Sequence, residues 1–435
     1  MHMLLPIVLV CSQPGAPSAK PARPADEQPG SMPWKTNTPI VRVRQELYEG
    51  RPKPKVAPCV KEFYVGPGLE RWQLHAFESV SDVWDDIKQR FSNDNGRTWS
   101  DYEPLPMGQR FLKGVRVQEG GLTRFYDPVA GVLLGSWVRI VHAGGFFNSF
   151  TYYRISRDQG RTWTEPKQLR YEDGEDFDPD TPLKPGFLKK NQGCPGYTIT
   201  RHSNGTVLLC VGHANAPDDP DNDKRKEKAG ALCFIGRWNA KAGDYDWTAG
   251  KRISGSPTIT SRGMAEPVIA ELRDTRVLML LRGSDTPQTP GRRWFSISAD
   301  GGRTFGEIRE LKYDDGSSFY TPSTMCSLIR HSVTGKLYYV GNISPTPPRG
   351  NAPRYPLIIA EVDEKIPALR RDSVTVIDDR RPGQAAGIQF SNFSLLENRE
   401  THEFELYITL FAAHPGQHWA TADCYKYWLT FPAGR

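Results

Sequence analysis

Residues 156–163 read S-R-D-Q-G-R-T-W, and nearly the same octapeptide stands at two other places in the chain. Residues 92–99 read S-N-D-N-G-R-T-W, and residues 298–305 read S-A-D-G-G-R-T-F, with Phe closing the last copy instead of Trp. One copy has the chemistry of a tight hairpin turn. Ser and Asp side chains bond the backbone groups that the turn leaves unpaired. Gly takes the left-handed conformation, and the aromatic folds beneath as a small local core. The copies start at 92, 156 and 298, so the first interval is 64 residues and the second, 142, is roughly twice as long. A repeat of that length means one supersecondary unit per period, and a turn between strands makes each unit a small antiparallel sheet. A ring of such sheets, a β-propeller, is the predicted fold. The chain has 435 residues, 40 glycines and 36 prolines, which fits many short strands joined by turns in one large domain.

The octapeptide resembles the Asp-box, or BNR repeat, of the sialidase superfamily. That resemblance implies six four-stranded blades and places the boxes on the rim, away from any active site, so the boxes themselves speak for fold and not for chemistry. Alternating apolar and polar runs predict blades over residues 60–105, 121–169, 197–253, 265–311, 322–371 and 390–431. Residues 243–247 (G-D-Y-D-W) stand where the third blade's box would fall, and residues 364–371 (E-K-I-P-A-L-R-R) replace that of the fifth. Residues 40–47 alternate and are placed to pair with the last blade and close the ring.

Residues 3–10 form a short apolar run before Cys11, and residues 12–32 shift to Pro, Ala, Ser and Gly. Residues 1–32 therefore read as the remnant of an export signal with a flexible linker, and 33–435 as a single propeller. The expectation is an exported protein, periplasmic or extracellular, with Cys11 a candidate for lipidation. Seven irregularly spaced cysteines make neither a zinc site nor a disulfide-dense scaffold, and leave one or two disulfides or buried thiols open. The net charge of +6 is dispersed, with no basic block that would mark a nucleic-acid partner, and no apolar run is long enough for a membrane span. The acidic run Asp218, Asp219, Asp221 and Asp223 is weighed as a calcium loop against a solvated loop paired with Lys224, Arg225 and Lys226, and the solvated loop is preferred. No cofactor and no metal are expected.

Residues 262–282, R-G-M-A-E-P-V-I-A-E-L-R-D-T-R-V-L-M-L-L-R, read as a strand, a turn and a returning strand. Glu266 and Arg282 then meet at one edge of a hairpin, facing the mouth of the central funnel; a structural salt bridge is the plainer alternative. The family resemblance gives this pair a role. It implies that Glu266 polarises a nucleophilic tyrosine and that Arg282 and Arg354 bind a sugar carboxylate, a task suited to the bidentate guanidinium. It also implies an acid on the loop before the first box, with Asp82 ahead of Asp85 and Asp86 by spacing.

Two departures stand out. The family's first arginine has no counterpart in residues 57–63, A-P-C-V-K-E-F, where Lys61 is the substitute, with Arg44 or Arg71 as residues that reach in. The nucleophilic tyrosine is replaced by Phe390 in the run Phe390, Ser391, Asn392, Phe393. Tyr320 is the first candidate to supply the missing hydroxyl and Tyr197 the second, the latter also as a substrate-binding residue. His142 and His213 are weighed as pocket-facing histidines, with core or surface roles preferred. Three functions stay open: an exo-acting glycosidase on sialic acid or a related acidic sugar, with inversion expected; a lyase or other hydrolase on uronic-acid glycans; and a glycan-binding propeller without catalysis.

Overall fold

The computed structural model describes residues 32–143, 146–214 and 229–432. The export-signal residues with Cys11, and the acidic run at 218–223, lie outside the described residues. Six antiparallel sheets form a ring, a six-bladed β-propeller. Blade I is Ala57–Tyr64, Arg71–Val80, Val83–Ser92 and Glu103–Pro104. Blade II runs through Val115–Asp127, Val132–Ala143, Phe146–Ser156 and Lys167–Gln168, with an extra strand, Gly108–Leu112, against the start of the first. Blade III is Cys194–Arg201, Val207–Ala214, Gly230–Asn239 and Asp244–Ala249, and blade IV is Ala265–Glu271, Val277–Arg282, Arg293–Ser298 and Arg309–Glu310. Blade V holds Cys326–Arg330, Leu337–Asn342, Leu357–Asp363 and Ala368–Leu369, with Thr375–Asp378 also paired to its third strand. Blade VI takes Ser394–Glu397, Phe404–Thr409 and Cys424–Thr430 from the end of the chain and Arg42–Glu49 from its beginning. The closing strand predicted at 40–47 thus pairs with the last blade, shifted by two residues. Among the described residues, helix is confined to short pieces such as Pro185–Leu188.

The first strands of blades VI, I, II, III, IV and V touch one another in turn and line the axis. The apolar faces of neighbouring blades pack together; Leu278, Leu280 and Phe295 of blade IV, for example, meet Tyr339 and Ile358 of blade V. Each such side chain stabilises the ring by roughly 1.5–3 kcal/mol when fully buried.

The three boxes are built alike. In the second, Ser156 Oγ accepts from the Gly160 N–H at 2.8 Å and donates to Asp158 Oδ1 at 2.7 Å. Asp158 also accepts from the Thr162 N–H at 2.8 Å and hydroxyl at 2.6 Å, and Trp163 Nε1 donates to the Gly160 carbonyl at 2.9 Å. Gly160 sits at φ 92°, where a side chain would be strained. Each box follows the third strand of its blade at the end remote from the mouth. In blade IV, Ser298 pairs with Val277 and Val277 with Glu271, whereas Ala265 pairs with Arg282 at the other end. Blade III makes the same sheet without a box, its turn resting on Gly243 at φ 64°. Cys210 and Cys233, opposite each other in that blade, are disulfide-bonded, and Cys59, Cys194, Cys326 and Cys424 are free.

Candidate active site

Glu266 does not stand on a regular strand. The ladder between the first two strands of blade IV slips between Ala265 and Val268, and Glu266 has φ 44°, a left-handed conformation rare for a residue with a side chain. This bulge turns the carboxylate towards the mouth. Blade III can press against it because two of its residues lack side chains. A Cβ at Gly212 would lie 2.7 Å from the Glu266 amide nitrogen, and one at Gly196 would lie 2.1 Å from the Pro267 carbonyl oxygen. The close approach brings the next residue, Tyr197, into the field of the Glu266 carboxylate.

Arg282 makes an ion pair through Nη1 with Glu266 Oε1. Its Nε donates to Ser323 Oγ at 3.0 Å and its Nη2 to Asn351 Oδ1 at 3.4 Å. Arg354 reaches the same asparagine from the next loop, with Nε donating to the Asn351 carbonyl at 3.1 Å. Its Nη1 donates to Gln389 Oε1 at 2.8 Å and Ser391 Oγ at 2.9 Å. Asn342 fixes this loop by donating to the carbonyls of Arg354, Pro356 and Phe390 at 3.1, 3.2 and 3.0 Å. Asn351 Oδ1 takes a further bond, 2.9 Å, from Arg262. Asn351 is thus the hub of the arginine cluster. Sequence reasoning passed over it, because an asparagine in an R-G-N-A-P-R loop reads as turn chemistry.

Burial alone would raise the Glu266 carboxyl, but the adjoining Arg282 guanidinium outweighs it and holds the group below its ordinary value, charged. Its second oxygen, Oε2, is buried and has no hydrogen-bond partner. The Glu266 charge, and then burial, hold the Tyr197 hydroxyl well above its ordinary value, with Asp82 adding to the effect. Burial, and then Arg282, push Arg354 down to about 10. Lys61 lies in the same interior, its ammonium 5.0 Å from the centre of the Trp84 ring and 5.4 Å from that of Tyr197, and burial pushes it down to about 8.

Asp82 occupies the turn between the second and third strands of blade I, at the mouth end, with φ 62°. Glu78 Oε1 accepts its N–H at 2.9 Å, and burial pushes the Glu78 carboxyl up to about 7. Asp86 pairs instead with Lys88 at 2.6 Å. Asp82, Tyr197, Lys61, Glu266, Arg282 and Arg354 therefore share one electrostatic neighbourhood. Tyr320 is buried, with the Arg292 guanidinium 4.5 Å from the centre of its ring. Arg71 is sealed between Glu62 and Glu405, and exposed Arg44 lies over Trp428 at 3.6 Å. His213, at the end of the second strand of blade III, contributes a weak field at Glu266. No cluster of His, Cys, Asp and Glu among the described residues is placed to hold a metal ion, and no helix among them is long and apolar enough to cross a membrane.

Residues 124–405 match the BNR repeat-like domain family. The chain is a BNR-repeat propeller of the sialidase superfamily. No curated protein is similar to it in sequence. Among solved structures, a protein of unknown function from Dyadobacter fermentans is 14% identical with a TM-score of 0.60, over 91% of this chain and 100% of that one. The NanB sialidase of Streptococcus pneumoniae is 11% identical with a TM-score of 0.55, over 90% of this chain and 70% of that one. An α-L-arabinanase from Penicillium chrysogenum is 12% identical with a TM-score of 0.50, over 90% of this chain and 99% of that one. At these identities the likeness is one of fold. Against the superfamily pattern, Phe390 is fully buried in the apolar cluster between blades V and VI. The ring of Tyr197 packs on that same cluster from blade III. A tyrosine from a different blade therefore borders the place where Phe390 removes one.

Proposed function

We propose that this protein is an exo-acting glycoside hydrolase that removes a terminal acidic sugar, with sialic acid the first candidate. The observation that carries the reading is the Glu266 carboxylate, charged, with one oxygen tied to Arg282, the other buried without a hydrogen-bond partner, and its field acting on Tyr197. Arg282 and Arg354 hold the sugar carboxylate. Tyr197 Oη attacks the anomeric carbon while Glu266 takes its proton, and Asp82 protonates the leaving oxygen as the glycosidic bond breaks. In the second half, Asp82 accepts a proton from water, the water oxygen bonds to the anomeric carbon, and the Tyr197 oxygen leaves and recovers its proton from Glu266. Two displacements retain configuration. That reverses the inversion expected from Phe390 alone, because the tyrosine comes from blade III. Sialidases and an arabinanase among the structural relatives support a glycosidase. The Cys210–Cys233 disulfide fits the export read from the first residues.

The test offers the enzyme sialosides and glucuronides side by side, with proton NMR on the first anomer released. Retained sugar from wild type and loss of turnover in Tyr197→Phe support the reading. Inverted sugar removes Tyr197 as nucleophile. Products that absorb in the ultraviolet make the enzyme a lyase, and a ligand recovered unchanged after long incubation makes it a binding propeller.

A further inference from the structure

Blade II carries a fifth strand at the mouth, Gly108–Leu112, paired with the start of its first strand. One row crosses this extension. Phe111 is the cross-strand partner of Arg116, and His142 that of Phe147. Arg116 Nη2 joins the two pairs by donating to His142 Nδ1 at 2.7 Å. Cross-strand partners point to the same face of a sheet, so the four side chains form one strip. Three inter-strand steps make it about 14 Å long. Its two ends are aromatic and open to solvent, Phe111 at 69% and Phe147 at 51% exposure, and Phe147 stands edge-on to His142 at 5.0 Å.

The strip is wired to the candidate active site. Since Arg116 can only donate, His142 Nδ1 is the acceptor and the ring proton sits on Nε2, which donates to Gln118 Oε1 at 3.4 Å. Gln118 Nε2 in turn donates to the Asp82 carbonyl. Asp82 is the residue assigned to protonate the leaving oxygen, so the strip begins on the leaving-group side of the cleavage point.

We propose that this strip is a platform for the leaving-group part of the substrate, a neutral oligosaccharide to which the acidic sugar is attached. The idea rests on the glycosidase reading above. Exposed aromatic rings flanking a planar guanidinium suit a sugar chain. The apolar faces of its rings cover Phe111 and Phe147, while its hydroxyls accept from the remaining Arg116 donors. A protein partner would call for a wider apolar patch than two rings separated by polar groups.

The experiment has two arms. In the first, Phe111→Ala, Phe147→Ala and the double variant are assayed on 3′-sialyllactose and on methyl α-sialoside. Each single change is expected to lower kcat/KM on the trisaccharide roughly 2- to 10-fold, through KM, and to leave the methyl glycoside unchanged. Equal losses on both substrates, or none on either, overturn the platform. The second arm needs no catalysis. Neutral tetrasaccharides of glucose, xylose and arabinose are titrated into wild type and the double variant by NMR. Binding by wild type that the double variant loses supports the platform, even if no sialoside is cleaved and the proposed reaction falls. Wild type that binds none of them, or a double variant that binds as well, overturns it.

Discussion

Two clusters of buried charge can be set beside each other. One lies at the seam between blades VI and I, on the box side of the ring, where Arg71 is clamped by Glu62 at 2.7 Å and Glu405 at 2.9 Å. The other lies at the mouth, around Glu266. At the seam every carboxylate oxygen is engaged. Glu62 Oε2 accepts from Gln73 at 3.1 Å, and Glu405 takes Asn398 at 2.5 Å and Lys426 at 2.8 Å as well as Arg71. At the mouth Glu266 has one oxygen engaged and the other bare. Both clusters pay the desolvation cost of buried ions, and the seam, with all its carboxylate oxygens bonded, recovers more of it within the protein. A cluster whose carboxylate oxygens are all engaged holds blades together; one that leaves a carboxylate oxygen bare is the candidate for chemistry.

The comparison predicts opposite consequences. Glu266→Gln should lower turnover by about 10²- to 10⁴-fold while leaving the melting temperature near that of wild type. Arg71→Met should do the reverse: it strands two carboxylates, costs about 3–5 kcal/mol of stability by urea titration, and leaves the turnover of the folded fraction intact. If both variants lose only stability, the distinction between the clusters collapses. Arg282→Ala and Arg354→Ala come next, each raising KM for an acidic sugar about 30- to 150-fold, with little effect on a neutral analogue.

Lys61 sharpens the comparison through pH. It sits near 8 in the fold against 10.5 in an unfolded chain, so between those values the unfolded chain binds the extra proton and stability rises with pH. Lys61→Met should flatten that rise and lift the melting temperature at pH 7, where the buried ammonium is costly. A pH–stability curve unchanged in the variant would mean that Lys61 is already solvated. The smallest effect is expected at the boxes. Asp158→Ala should lower the melting temperature slightly and leave kcat/KM untouched, since the box lies at the end of its blade remote from the mouth.

Why some of this was legible in the sequence and some was not follows from the range of the interactions. A box closes within eight residues, so its hydrogen bonds are written in adjacent letters, and three copies disclose the propeller. Glu266 and Arg282 belong to one hairpin, and their meeting at its edge follows from strand alternation. Tyr197 is different. Its place beside Glu266 depends on a bulge in blade IV and on Gly196 and Gly212 in blade III letting two backbones touch, which leaves no period and no spacing to read. Asn351 joins two arginines from different blades and was invisible for the same reason.

The composite blade VI has a consequence for synthesis. Its strand Arg42–Glu49 pairs with Cys424–Thr430, so it leaves the ribosome 375 residues ahead of the partner (Cys424 against Glu49). At translation rates of 5–20 residues per second that is a wait of about 20 to 75 s. For that time it is a bare strand in a crowd of nascent sheets, with Leu47 still 59% exposed even after docking. Its letters, R-V-R-Q-E-L-Y-E, place charges at Arg42, Arg44, Glu46 and Glu49. Charged side chains on an unpaired strand are how proteins discourage the wrong neighbour. The strand that completes the ring is thereby kept solvated until the last blade arrives to receive it.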